Sequence, residues 1–119
     1  MGSHNEFGKE GEELATAYLV EKGYRIICRN YRYLKGEIDI IAQKDNLIAI
    51  IEVKSRSSAC FENIAETVSK KKIGLLVTAA DYYININKIE REVRFDIITI
   101  LKKKDKFLIE HLEDAFYHF

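Results

Sequence analysis

Apolar residues recur at helical spacing at Leu14, Ala15, Ala17, Tyr18 and Leu19, which predicts a helix over residues 8 to 22 ended by Gly23. Three short runs rich in isoleucine and valine follow, over Tyr24 to Tyr31, Glu37 to Ala42 and Leu47 to Lys54, and these read as strands. Ser69 is placed to cap a helix through Tyr83 whose apolar stripe is Ile73, Leu76, Ala80 and Tyr83. Val93 to Leu101 and Phe107 to His111 predict two more strands before a short tail at Leu112–Phe116. The order is α-β-β-β-α-β-β. A strand, a helix and a further strand in succession imply a right-handed crossover into a mixed sheet. The fold class is therefore α/β, with one central sheet flanked by helices.

Charged residues interrupt the apolar strands where ionised groups are costly. Gly36-Glu37-Ile38-Asp39-Ile40-Ile41-Ala42 and Ile50-Ile51-Glu52-Val53-Lys54 are separated by the turn-like Lys44-Asp45-Asn46. A two-residue turn at Asp45-Asn46 pairs residues whose numbers sum to 91. Asp39 then faces Glu52, and Glu37 faces Lys54, with opposed Cβ atoms about 5 Å apart. Period two keeps Glu52 and Lys54 on one face. Two carboxylates and an ammonium converge there, which is the geometry of a divalent-cation site. A slip of one residue would throw Asp39 to the other face, so site and register stand or fall together.

Composition narrows the setting. The chain has 119 residues, enough for one domain with its own core; we read residues 1–7 as an N-terminal tail and 8–119 as the domain. Nineteen basic residues balance nineteen acidic ones, so net charge neither favours nor excludes a polyanionic partner. Cys28 and Cys60 make neither a disulfide framework nor a zinc spacing, which fits a reducing cytoplasm. His4, His111 and His118 are scattered. No apolar run reaches the ~20 residues that span a bilayer, and no signal peptide is evident. The expectation is a cytoplasmic protein without a membrane partner.

Local basic groups supply what net charge does not. Arg25, Arg29, Arg32 and Lys35 precede the acidic motif, and Lys70-Lys71-Lys72 open the second helix. Lys102-Lys103-Lys104 and Lys106 read as a solvated hairpin tip. At ~100° per residue, Lys72 projects into the stripe of Leu76, Ala79 and Tyr83 while Lys70 and Lys71 point elsewhere. Lys72 either snorkels over the core edge or reaches an anion at the site. Glu12 lies beside Ala15 and Leu19, and Glu13 on the solvated side. Two readings stay open for Glu12: an acid leaning toward the patch, or one favoured by the helix dipole.

Asp39, twelve intervening residues and Glu52-Val53-Lys54 fit the pattern of the PD-(D/E)XK nucleases, whose core order α-β-β-β-α-β is the order read above. Gly8-x-x-Gly11-Glu12-x-x-Ala15, Gly23-Tyr24, Asn30-Tyr31-Arg32, Gly36-Glu37-Ile38-Asp39 and Glu52-Val53-Lys54-Ser55-Arg56 resemble the signature blocks of the YraN-like family of small bacterial proteins. Lys72, Arg94-Phe95-Asp96 and Ala115-Phe116 extend the resemblance across nearly the whole chain. It implies a restriction-endonuclease-like fold similar to archaeal Holliday-junction resolvases. By analogy, Glu12, Asp39, Glu52 and Lys54 are carried over as site residues. The chain departs from many PD-(D/E)XK enzymes in having Ile38 where a proline precedes the aspartate; that proline is not a ligand.

On this reading Asp39 and Glu52 hold Mg²⁺, with Mn²⁺ as a substitute and the Val53 carbonyl as a third ligand. The metal would activate water and polarise a phosphoryl oxygen. Lys54 would orient the nucleophile or stabilise charge on the phosphate, and Glu12 could hold a water. Arg29, Arg32, Arg56 and Lys72 are the candidate nucleic-acid contacts. Glu37 could position Lys54 or support the metal. The expected activity is metal-dependent hydrolysis of DNA, with branched DNA among the substrates in view. A resolvase acts on two strands, which implies a symmetric dimer; Tyr82, Tyr83, Phe116 and Tyr117 are candidate contacts. The alternatives are a retired nuclease fold that binds nucleic acid or a protein without cutting, and a structural module.

Overall fold

The computed structural model describes residues 2–56 and 68–116. Cys60, Tyr117 and His118, named above, lie outside them. The elements run α1 (Gly2–Glu21), β1 (Arg25–Tyr33), β2 (Gly36–Lys44), β3 (Leu47–Arg56), α2 (Lys70–Ile86), β4 (Glu92–Lys103) and β5 (Lys106–Leu112). That order is the predicted one, and most boundaries move by one to three residues. The larger difference is at the start: α1 begins at Gly2, where the sequence suggested a tail through residue 7. Gly8 lowers helix propensity by about 1 kcal/mol relative to alanine but does not end a helix.

α1 closes at Gly23, whose φ of +98° suits a residue without Cβ. The Tyr24 N–H reaches the Leu19 carbonyl at 2.9 Å and the Gly23 N–H reaches that of Val20 at 3.0 Å, so two orphan carbonyls are satisfied at once. At the other end of the fold, Ser69 caps α2 by accepting the Lys72 N–H at 3.2 Å.

The strands form one mixed sheet in the order β1-β2-β3-β4-β5. Only β3 and β4 are parallel, as the crossover through α2 requires. One helix covers each face. Ala15 and Leu19 of α1 pack on Ile40, Ala42, Ile51, Ile98 and Ile100. Leu76, Ala79, Ala80 and Tyr83 of α2 pack on Ile38, Ile41, Ile48, Ile50 and Phe95. β2 and β3 carry apolar side chains to both faces, as interior strands of a layered α/β domain do. α2 approaches closely at Gly36, where any Cβ would collide with the Leu75 carbonyl oxygen.

The β2–β3 register matches the expected sum of 91 from Lys44↔Leu47 to Ile40↔Ile51, and Asp45 takes a left-handed φ of +54° in the turn. The ladder then stops, so the expected pairings of Asp39 with Glu52 and of Glu37 with Lys54 are not made. The cause lies one strand away. Asn30, in β1, has φ +55°, a conformation that asparagine tolerates better than most residues. Arg29 before it faces α1, whereas Tyr31 after it joins the cluster under α2. On β2, Ile40 faces α1 and Ile38 faces α2 in the same way. The pleat turns over between them, at Asp39, and β2 parts from β3.

Candidate functional site

The gap between the parted strands holds the acidic pair. Asp39 turns its carboxylate across it and accepts the Val53 N–H at 2.8 Å. Within a strand a residue's N–H and C=O share an edge, so the Val53 carbonyl faces the same gap. Glu52 projects toward α2, where Lys72 Nζ lies 2.6 Å from one of its oxygens. Its residue exposure is only 1%, and the other oxygen, Oε1, is buried without a donor. Burial first, and the neighbouring Glu52 charge second, push the Asp39 carboxyl up to about 8. The two carboxylates repel each other, and burial together with that repulsion favours a proton on Asp39.

Two clefts meet at this pair, of about 290 and 230 Å³, and share Asp39, Glu52 and Lys72. The first opens toward Lys35, Glu37 and Lys71. The second opens under α1 and brings in Glu12, Val53, Lys54 and Ser55. Gly11 lets α1 lie against β3 there, since a side chain at Gly11 would meet Ser55 Oγ. Glu12 therefore faces the acidic pair while Glu13 turns outward, its side chain 69% exposed. Burial raises the Glu12 pKa and Arg29 opposes that rise.

The remaining candidates divide. Lys54 stands in the second cleft and forms no ion pair among the described residues. Burial disfavours the Lys72 ammonium, but its hydrogen bond and attraction to Glu52 win, so its pKa lies above the ordinary value. Arg29 is committed to α1, bridging Glu12 at 3.6 Å and Glu13 at 2.8 Å. Arg32 pairs with Glu37 at 3.2 Å, so the partner of Glu37 is a neighbour on β1 rather than the expected Lys54. Arg56 closes β3, paired with Leu101 in the parallel ladder. Lys71, expected to point away from the core stripe, lines the first cleft beside Lys72; helical angle alone could not show that this end of α2 overlooks the gap.

A second polar cluster lies on the α1 face. Asp96 is fully buried and accepts two bonds from Arg94, both at 2.8 Å, and the Asp114 N–H at 3.1 Å. His111 Nε2 lies 2.8 Å from the same carboxylate, and its Nδ1 lies 3.0 Å from the Tyr18 hydroxyl. Arg94 also donates to the Tyr24 hydroxyl at 2.6 Å. Burial alone would raise the Asp96 pKa, but the bonds to His111, Arg94 and the Asp114 amide outweigh it and lower the pKa. Neither of the two clefts reaches this cluster. It ties α1, β4, β5 and the segment after β5 together.

Fold and site thus define an α/β protein with an acid pair, one member buried and one half-buried, at the splayed end of a mixed sheet, rimmed by lysines. The family model described as uncharacterised protein family UPF0102 matches residues 11–100. The chain belongs to that family. A UPF0102 protein of Flavobacterium psychrophilum is 50% identical over 119 residues, covering all of both chains. Relatives from Flavobacterium johnsoniae and Phocaeicola vulgatus are each 48% identical, covering all of both chains in the first case and 98% and 97% in the second. No helix among the described residues is long and apolar enough to cross a membrane.

Proposed function

We propose that this protein is a divalent-cation-dependent nuclease that hydrolyses phosphodiester bonds in DNA, built on a restriction-endonuclease-like core. One observation carries the reading. Glu52 is buried with an oxygen lacking a donor, against an Asp39 whose carboxyl is held up to about 8. Ionising both carboxylates together calls for positive charge beyond the one ammonium of Lys72. The donor set suits a hard ion: Asp39, Glu52 and the Val53 carbonyl offer oxygen alone, and Mg²⁺ accepts one or two carboxylates with water completing its shell. Mg²⁺, or Mn²⁺, would supply Lewis-acid polarisation of a phosphoryl oxygen.

The chain's own residues do the rest. Lys54 stands beside the acidic pair, where it stabilises negative charge growing on the phosphate. Lys72 neutralises Glu52 and, half exposed, presents its charge to the cleft. Lys35 and Lys71 draw the polyanionic backbone along the first cleft. Glu12, opposed by Arg29, keeps a further acid near the reacting centre.

A second reading, a nuclease fold that binds nucleic acid or a protein without cutting, is favoured by the Lys72–Glu52 contact, which sets an ammonium on the carboxylate a cation would share. No group of three or more His, Cys, Asp or Glu able to hold a metal gathers among the described residues. A cleavage panel of single-stranded, duplex, flap and four-way-junction DNA in Mg²⁺ or Mn²⁺ separates the two. The nuclease cuts at least one substrate and Glu52→Ala cuts none. Binding without cleavage by wild type selects the second reading in its nucleic-acid form, and no binding at low salt removes the nuclease and leaves only a protein-binding or structural role.

A further inference from the structure

Beside the acidic cleft lies a second, apolar one of about 380 Å³, formed by Tyr33, Leu34, Lys35, Gly36, Leu75 and Thr78. It shares Lys35 and Leu75 with the acidic cleft, so the two adjoin. Gly36 keeps its floor open and brings α2 close beneath. The Thr78 hydroxyl donates to the Gly74 carbonyl at 2.9 Å, which leaves it only as an acceptor. The Tyr33 ring is held flat by Tyr82, 3.8 Å away and within 11° of parallel. Leu34 stands at the β1–β2 hairpin tip, 79% exposed and at φ +56°. A bulky apolar side chain gains nothing from solvent there, and its left-handed backbone is costly for a residue other than glycine.

The geometry points to a binding site for one unstacked nucleobase of a single strand whose phosphate lies against the lysines of the acidic cleft; this rests on the nuclease reading. The occupant follows from charge and shape. An anion beside Lys35, Lys71 and Lys72, joined to a flat apolar group beside Tyr33 and Leu34, is the chemistry of a nucleotide. Aromatic and aliphatic walls bind any base by its face. The walls are mostly apolar, with the Tyr33 and Thr78 hydroxyls and the Lys35 ammonium as their polar side-chain groups, so binding rests on the face of a base more than on its edges. A base inside a duplex cannot enter without being unstacked, so single-stranded or branched substrates are preferred over intact duplex.

The test compares two probes of equal charge in Ca²⁺, an eight-nucleotide thymidylate strand and an eight-unit abasic phosphodiester strand, each followed by fluorescence anisotropy. Wild type is expected to bind the base-bearing strand roughly five-fold or more tightly than the abasic one. Leu34→Ala and Tyr33→Ala should each bring the two within about two-fold while leaving abasic binding unchanged. Circular dichroism confirms folding, and Leu34, at an exposed tip, supports no core. Equal binding of both strands by wild type overturns the base site and leaves the nuclease reading standing. So does a preference that survives in folded Leu34→Ala. Failure of wild type to bind either strand at low salt overturns the nucleic-acid reading itself, and the base site with it.

Discussion

Lys72 Nζ sits 2.6 Å from a carboxylate oxygen of Glu52, and the Glu52 side chain is 2% exposed while that of Lys72 is 46% exposed. The pair is lopsided: the acid cannot recover its hydration, whereas the base can. Lys72→Ala should therefore cost about 1–2 kcal/mol of stability, less than a fully buried pair because solvent screens the lysine. It should also tighten Mg²⁺ binding, since a competing positive charge is gone. Urea unfolding and metal titration of the same variant measure both effects. Weaker metal binding would show that Lys72 holds Glu52 in place for the cation.

The Asp39 carboxyl yields a pH dependence with a definite sign. Its folded pKa of about 8 lies above the ordinary 3.8, so between those values the folded state keeps a proton that the unfolded chain has released. The Asp39 contribution to stability in EDTA should thus be fully present below the ordinary carboxylate range and be lost as pH climbs through 8. Asp39→Asn should flatten the profile, and millimolar Mg²⁺ should flatten it too by favouring the ionised acid. Thermal melts between pH 4.5 and 8.5 decide it, and a wild-type profile unchanged by Asp39→Asn would count against the assignment.

Asp96 behaves oppositely. Its folded pKa is lowered, so its stabilising effect is present above the ordinary carboxylate range and is lost as pH falls through the folded value. Asp96→Ala leaves Arg94, with a 20% exposed side chain, without its main partner. We expect a loss of about 3 kcal/mol, read by urea unfolding at neutral pH. A loss below about 1 kcal/mol would mean that the cluster is dispensable to the fold.

Chemistry and binding should separate at Lys54. Lys54→Ala is expected to lower cleavage by about 10²-fold or more while leaving metal affinity unchanged, because an ammonium is no ligand and its effect is confined to the transition state. Lys71→Ala should instead weaken DNA binding and reduce the salt slope by roughly one, because one phosphate fewer is neutralised. Cleavage and binding measured on one DNA at two salt concentrations distinguish the two variants.

Leu34→Asn removes an apolar side chain from solvent and suits the left-handed backbone better. An increase in stability of about 0.5–1 kcal/mol is expected. A decrease in the urea midpoint would show that Leu34 packs against something the fold requires.

Much of this was legible in the chain because apolar period and turn chemistry act locally. Ile40 to Ile51 could be paired in advance since Asp45-Asn46 closes a two-residue turn, and that loop length fixes the register. Ser69 was legible as a cap for the same reason. The failures share a different cause. That Glu37 pairs with Arg32 depends on where β2 leaves β3, and this follows from the backbone of Asn30, whose φ no side-chain pattern announces. The Asp96 cluster joins Tyr18, Tyr24, Arg94 and His111 from four separate segments. Nothing in local periodicity brings them together. The place of Lys71 in the first cleft was not legible because a helical wheel shows which side faces the core and not what lies beyond the end of the sheet.

The left-handed turn at Asn30 also shapes the outer edge of the sheet. β1 is an outer strand of the sheet, and a long, regular outer strand is an open template for another chain to extend the sheet. The local break in its pleat spoils that template midway, as a bulge does. Asn30→Val, which favours straight extended backbone, would mend the edge: self-association would rise with concentration as Asp39 lost the gap it reaches across. One backbone angle thus shapes both the open edge of the sheet and the gap that Asp39 reaches across.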